Sequence, residues 1–377
     1  MGERLGRYRA APPQKSVWLH AVSVGEARAA SPLVAALRKA FPDHVVVLTC
    51  TTAAGRETLR QIHGENAAAF YLPYDLPGAV RGFLQHFRPR LGVLMETEVW
   101  PNLLAGCAAQ GVPVLLANAR MSEKSARGYA RWPAFARETF GNLAAVCAQS
   151  AHDAERLKAL GARNIAITGN LKFDVEPDAA QLAAGRAWRE RLGRPVLLLA
   201  STREGEEELF FKQLSQTRDL PLIVVVPRHP QRFDEVAKWA DARRTRQEFP
   251  DAATRIYLGD TMGEMAFYFA ACDVAVIGGS FLPLGGQNLI EALAAGAPVV
   301  TGPSMFNFAE ATRLALEARA AIQAPDAASA LREALQLLGE PARRAQMAAA
   351  GRVLCEAHRG ATARHLAVCR RLLSERG

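Results

Sequence analysis

Long uninterrupted apolar runs are missing from this chain of 377 residues. Charge-free stretches such as residues 274–290 are broken by four glycines and a proline. A membrane-crossing helix needs about 20 consecutive apolar residues, so none is expected. The opening Met1-Gly2-Glu3-Arg4-Leu5-Gly6-Arg7-Tyr8-Arg9 is charged with no apolar segment behind it, so no signal peptide is expected in it. Cysteine is sparse: Cys50, Cys107, Cys147, Cys272, Cys355 and Cys369 are scattered, with no Cys-x-x-Cys pair. They read as reduced core thiols of a cytosolic protein, not as disulfides or a zinc site. The Gly-x-x-x-x-Gly-Lys-Ser/Thr, Gly-x-Gly-x-x-Gly, His-Glu-x-x-His and Asp-x-Asp motifs are all absent. Kinase-like ATP hydrolysis, ordinary dehydrogenase chemistry and metal-dependent transfer lose their usual signatures, and no metal or cofactor is expected. Aromatic residues make up only 7% of the chain, too few to interleave with basic groups for base stacking, so nucleic acid is not an expected partner.

What is present is an ordinary globular balance of 50% hydrophobic and 22% charged residues. Lys and Arg number 46 against 37 Asp and Glu, a net charge of +9 that favours an anionic partner such as a phosphorylated substrate or an acidic membrane surface. At about 150 residues per domain the length predicts two domains. Short apolar runs at 17–22, 45–49, 68–72, 91–95, 114–117, 144–148 and 165–168 alternate with helical periodicity at 27–40, 78–86, 103–110 and 151–160. The second half repeats the scheme with strands at 196–200, 222–226, 256–258, 274–277 and 299–301. Continuous apolar strands between helices predict parallel sheets covered on both faces. A polar, proline-containing break at residues 173–178 precedes a helix at 181–192. The expected lobes are 1–175 and 176–355, with a final helix at about 356–377 packing back on the first.

Ligands of open α/β sheets lie at the carboxyl ends of strands, so the corners there are the candidate sites. Glu26, in Ser23-Val24-Gly25-Glu26, follows the first strand with Gly25 permitting a tight turn, where a general base for a hydroxyl is well placed. A favourable helix dipole accounts equally for a carboxylate at this position. Glu96 and Glu98, two apart in Met95-Glu96-Thr97-Glu98-Val99-Trp100-Pro101-Asn102, would share one environment in extended chain, and Glu96 lies nearer the strand end. Lys172, closing Gly169-Asn170-Leu171-Lys172, suits a developing negative charge. Arg120, Lys124, Arg127 and Arg131 would line one face of a helix spanning 121–132, a solvated stripe or a phosphate- and membrane-binding face. In the second half, Arg228 in Pro227-Arg228-His229-Pro230 offers a planar fork to phosphate. Met262-Gly263-Glu264 would open a helix and cradle an anion or base edge. The glycine-rich run from Gly278-Gly279-Ser280 to Gly285-Gly286-Gln287-Asn288 and Glu291 would hold a nucleotide.

These stretches, together with Tyr71-Leu72-Pro73-Tyr74-Asp75, Ala117-Asn118-Ala119-Arg120, Glu204-Gly205-Glu206-Glu207 and Gly259-Asp260-Thr261, resemble in order the 3-deoxy-D-manno-octulosonic acid (Kdo) transferases of lipopolysaccharide synthesis. The resemblance runs from about Gly2 to Phe308. It implies a GT-B fold of two Rossmann-like lobes around an inter-domain cleft. The implied activity is inverting and metal-independent: Kdo moves from CMP-Kdo to the bisphosphorylated disaccharide of a lipid A precursor, at the cytoplasmic face of the inner membrane. It further implies Glu26 as general base and Glu96 and Lys172 as transition-state stabilisers. Pro227, Arg228, Met262, Gly263, Glu264, Gly279, Ser280, Asn288, Leu289, Ile290 and Glu291 would hold the donor. The family's Gly-Gly-His-Asn reads Gly285-Gly286-Gln287-Asn288 here, and the family's frequent N-terminal anchor is expected upstream of this sequence. Another GT-B sugar-nucleotide enzyme, such as a UDP-sugar epimerase, or a basic anion-binding module are the alternatives.

Overall fold

The structure, a computed structural model, describes residues 2–64, 68–215 and 220–375. It divides into two lobes: residues 1–175 with 358–377, and residues 176–357. Met1 and residues 376–377 of the expected final helix lie outside the described residues.

The first lobe holds seven strands: β1 (Ser16–His20), β2 (Val45–Cys50), β3 (Ala68–Tyr71), β4 (Pro89–Met95), β5 (Val114–Ala119), β6 (Ala145–Ala148) and β7 (Ile165–Ile167). All pair in parallel, in the order β3-β2-β1-β4-β5-β6-β7. The apolar runs of the inner strands β1, β4, β5 and β6 are buried on both faces, while the edge strands β3 and β7 are only partly covered. One face packs Trp18, Phe83, Phe87 and Phe140 under helices Pro77–Phe87 and Pro133–Gly141. The other packs Leu33 and Leu37 of helix Val24–Ala40 with Cys369 and Leu372 of helix Ala361–Ser374. Burying one such leucine contributes about 1.5–3 kcal/mol, enough for the C-terminal helix to be a structural member of this lobe.

The second lobe holds β8 (Val196–Thr202), β9 (Leu222–Pro227), β10 (Ala242–Arg243), β11 (Ile256–Leu258), β12 (Val274–Ile277), β13 (Val299–Thr301) and β14 (Ala321–Gln323). They are again parallel, in the order β10-β11-β9-β8-β12-β13-β14. The edge strands β10 and β14 have no counterpart in the sequence reading: neither is a continuous run of Val, Leu or Ile, and pairing with β11 and β13 makes them strands. All six cysteines are free thiols and five are buried.

In the first sheet the connections leave β1 and β4 toward opposite edges, and in the second they leave β8 and β12 so. These adjacent strands are the topological switch points, and the crevice beyond their carboxyl ends is where such sheets take ligands. Among the described residues no helix is long and apolar enough to cross a membrane.

Candidate active site

Glu26 stands at the first switch point. Ser23 caps helix Val24–Ala40, its Oγ accepting from the Glu26 N–H at 3.3 Å. The Glu26 carboxylate turns back toward the sheet, where Oε2 accepts from the Val22 N–H at 2.8 Å and Oε1 from the Ser23 hydroxyl at 3.4 Å. Burial pushes its pKa up to about 7; the charges of Glu96 and Glu98 push the same way, while the Val22 N–H and Lys172 oppose. A carboxyl that changes charge near neutrality is matched to proton abstraction, which an ordinary helix-capping acid is not. Gly25 does not act through a tight turn: it lies in the helix's first turn at negative φ, and an added Cβ would meet only Ser23 Oγ at 3.9 Å.

At the end of β4, Glu96 takes a left-handed backbone (φ 56°), so the Glu96–Glu98 segment is not extended, yet the two carboxyls share an environment: burial raises the pKa of Glu98 and the Glu96 charge helps. Glu98 accepts from Trp100 Nε1 at 2.9 Å, and its charge is felt at Glu26. Lys172, delivered by the short turn Leu171–Asp174, places Nζ 2.9 Å from Glu96 Oε1. The side chains of Glu96 and Lys172 are 9% and 15% exposed. At that burial the loss of either partner strands a charge. Asn118, next to last in β5 with φ 52°, points Nδ2 to Glu96 Oε1 at 3.5 Å and accepts the Leu171 N–H at 3.0 Å. Non-glycine residues at positive φ cluster at functional sites, and two of them lie at the ends of adjacent strands here. Asn118 carries no role in the sequence reading; the available signal was an Asn, tolerant of that conformation, at a strand end.

The basic stripe is not one helical face. The helix covers only Glu123–Ala130; Arg120 precedes it, and Arg131 caps its end before Pro133 begins another. Arg120 belongs to the carboxylate cluster instead, 3.9 Å from Glu96 Oε2. Lys124, Arg127 and Arg131 remain exposed, Arg127 pairing with Glu123 at 3.4 Å. Beside them Trp132 is 72% exposed and Phe135 47%. A cavity of about 430 Å³ lined by Ala126, Ala130, Pro133, Ala136 and Leu160 is rimmed by Arg127, Arg137 and Arg156.

In the second lobe, Arg228 follows β9, its N–H donating to Thr202 O and its Nε to Gln287 Oε1 at 3.1 Å. Gln287 thus serves as an acceptor that aligns the guanidinium. Gly279 (φ 66°) brings bare backbone against Gln287, and an added Cβ would lie 3.0 Å from Nε2. Four of the residues expected at the donor engage their side chains within the lobe. Ser280 is fully buried, its Oγ donating to Ile277 O at 2.6 Å and accepting the Gly302 N–H at 2.8 Å, so it ties the loop down. Leu289 and Ile290 bury their side chains in the core. Asn288 accepts the Ile290 N–H and donates to Glu291 Oε1, both at 3.1 Å, which orients Glu291. Met262 is exposed, Gly263 is left-handed, and Glu264 precedes helix Met265–Ala271 instead of lying within it. Arg244 grips the Glu264 carboxylate at 2.8 and 3.2 Å and holds its pKa below the ordinary value, with the Thr261 hydroxyl also donating. These groups border a cavity of about 690 Å³ with Trp188 and Tyr257.

One residue organises the glycine-rich loop without reaching outward. Glu206, fully buried, accepts the N–H groups of Arg203 (2.9 Å), Gly279 (2.6 Å) and Phe281 (3.0 Å). It thereby fastens the ends of β8 and β12 together at the second switch point. Were Arg228 to meet the donor phosphate as the resemblance implies, replacing it by Ala should weaken CMP binding by about 1.5–3 kcal/mol, the worth of a charge-assisted hydrogen bond. Calorimetry giving parental affinity would move the phosphate contact elsewhere.

Two parallel-sheet lobes with sites at their switch points define a class. The Anabaena Alr3699/HepE structure in complex with UDP aligns at a TM-score of 0.64 with 14% identity, covering 96% of this chain and 100% of that one. A putative UDP-N-acetylglucosamine 2-epimerase from Listeria monocytogenes aligns at 0.59 with 17% identity, covering 90% and 91%. The fold is the GT-B fold shared by glycosyltransferases and epimerases of this kind. Sequence separates the two. Residues 1–175 match the family described as 3-deoxy-D-manno-octulosonic-acid transferase (kdotransferase). The 3-deoxy-D-manno-octulosonic acid transferase of Bordetella pertussis is 50% identical over 383 residues, 96% of this chain and 89% of that protein. That of Haemophilus influenzae is 34% identical over 385 residues, 97% and 90%. The chain belongs to the Kdo transferase family and is a glycosyltransferase.

Proposed function

We propose that this enzyme transfers Kdo from CMP-Kdo to a hydroxyl of the phosphorylated disaccharide of a lipid A precursor, with inversion at the anomeric carbon. The observation that carries the reading is Glu26: a carboxyl tuned to about 7 at the end of β1, beside the Glu96–Lys172 pair, in a chain half identical to a named Kdo transferase. In this reading Glu26 accepts the proton of the acceptor hydroxyl, whose oxygen bonds the anomeric carbon of Kdo as the bond to the phosphate of CMP breaks. Glu96 and Lys172 stabilise the charge that develops in the transition state. In the second lobe the Arg228 fork meets the phosphate, Glu291 takes ribose hydroxyls, and the cavity at Met262 and Glu264 has the size of a nucleotide-binding pocket.

The transfer is proposed to need no metal ion: Lys172 and Arg228 supply the positive charge, and among the described residues no three His, Cys, Asp or Glu side chains converge to hold one. Incubation with CMP-Kdo and the lipid A precursor in excess EDTA, followed by mass analysis, should show a product heavier by one or more Kdo residues. No product, or product only with added magnesium, overturns donor or metal independence respectively.

The exposed Lys124, Arg127 and Arg131, with Trp132 and Phe135 beside an apolar cavity, are proposed to meet the acceptor's phosphates and the anionic inner-membrane surface at its cytoplasmic side. Each such cation is worth about 1 kcal/mol near an anionic surface. Replacing Lys124 and Arg131 by Ser should raise the acceptor KM several-fold and leave that for CMP-Kdo unchanged. Parental binding to anionic vesicles and parental KM would leave these residues a solvated surface.

A further inference from the structure

Beyond the groups of the proposed site, we infer that His365, on the C-terminal helix, is a positioning residue for Glu96 and Lys172, acting through Asn118. The inference rests on the reading of Glu26, Glu96 and Lys172 as the reacting site.

His365 is fully buried. Its Nδ1 lies 2.7 Å from the Ala361 carbonyl one turn earlier on its own helix. A carbonyl only accepts, so Nδ1 carries the proton and Nε2 presents a lone pair. That lone pair accepts the Asn118 N–H at 2.9 Å. Burial depresses the imidazole pKa to about 4, so the ring stays neutral and keeps this acceptor at physiological pH. An ordinary buried histidine would satisfy itself against nearby turns. This one turns its acceptor to the backbone of a residue 247 positions away, held in a left-handed conformation, with the Thr168 hydroxyl farther off at 3.4 Å.

Every other polar group of Asn118 leads to the site. Its Oδ1 accepts the Leu171 N–H at 3.0 Å, immediately before Lys172, and its Nδ2 faces Glu96 at 3.5 Å. Its carbonyl accepts from Gln149 Nε2 at 2.8 Å, and Gln149 Oε1 accepts from Asn170 Nδ2 at 3.1 Å. Asn170 Oδ1 accepts the Lys172 N–H at 3.0 Å, which closes a ring of hydrogen bonds around the lysine backbone. The helix is fastened to the same segment from its other side: Asp174 accepts the Gly360 and Thr362 N–H groups at 2.8 and 2.5 Å, and Arg364 donates to Thr168 O at 2.9 Å. The C-terminal helix therefore braces the lysine turn and, through one imidazole nitrogen, the strand end that faces Glu96. A site that works by preorganised charge loses rate when its supports loosen, even where substrates still bind.

The test compares His365→Gln with His365→Asn in the full chain, assayed with CMP-Kdo and the lipid A precursor well below the melting temperature. Gln carries its amide oxygen out to the place of Nε2 and can still accept from Asn118. Asn reaches only as far as Nδ1. The Asn variant should lose at least about tenfold in kcat with both KM values within about twofold of the parent, and the Gln variant should recover to within about threefold. If the Asn variant does not fold, His365→Leu, which fills the space without an acceptor, takes its place against Gln. Equal kcat in the parent, the Gln variant and the variant without an acceptor overturns the inference, and so does an equal loss in both variants. Lys172→Met serves as the control on the site: its loss of turnover with none in the Asn variant overturns the positioning role alone, whereas parental turnover in Lys172→Met brings down the site reading and this inference with it.

Discussion

Glu26→Gln should leave the fold and CMP affinity near parental while reducing turnover at least about a hundredfold, the scale of a lost general base. Gln keeps the acceptor for the Val22 N–H, so the helix start is retained and only proton abstraction is removed. In the parent, kcat/KM should rise with pH through about 7 as the Glu26 carboxyl gives up its proton, because the protonated form cannot act as a base. Stability should run the other way. A carboxyl whose folded pKa stands at about 7, above its ordinary 4.5, stabilises the fold below the ordinary value, and that contribution fades as pH rises through about 7. The Gln variant escapes this loss, so its melting temperature should fall less than the parent's between pH 5 and pH 8. Parental turnover in the purified variant would remove Glu26 from the chemistry.

Lys172→Met should lower turnover about a hundredfold and move the acid limb of the pH–rate profile upward. Lys172 pulls the Glu26 pKa down while Glu96 pushes it up, so deleting the ammonium leaves Glu26 protonated to higher pH. It also strands Glu96, whose nearest remaining cation is Arg120 at 3.9 Å. Glu96→Gln should move the same limb downward, since a like charge beside Glu26 is gone. Opposite shifts in the two variants are expected from this cluster alone. An acid limb unmoved in both would mean that the titrating group is not Glu26, or that these charges do not reach it.

How much of this was legible beforehand follows from where the information lies. The alternation of unbroken Val/Leu runs with 3.6-residue periodicity is local, so the seven strands of the first lobe and five of the second could be read directly. The placement of Glu26 just beyond β1, on the side where such sheets take ligands, is local in the same way. The corrections fall where backbone conformation departs from its neighbours. Glu96 turns left-handed where an extended segment was expected, and the helix after Met121 stops at Ala130 and releases Arg120 to the carboxylates. Leu289 and Ile290 go to the core because the helix after Asn288 buries the face they occupy. By itself, then, the sequence determined two parallel α/β lobes, the chemistry available at their strand ends and the family. Only the tertiary structure decided what surrounds those groups: the pKa of Glu26, the buried Glu206 clasp under the glycine loop, and the reach of His365 to Asn118 across 247 residues. Burial and hydrogen-bond partnership are properties of chain segments brought together from far apart, and no spacing within one segment encodes them.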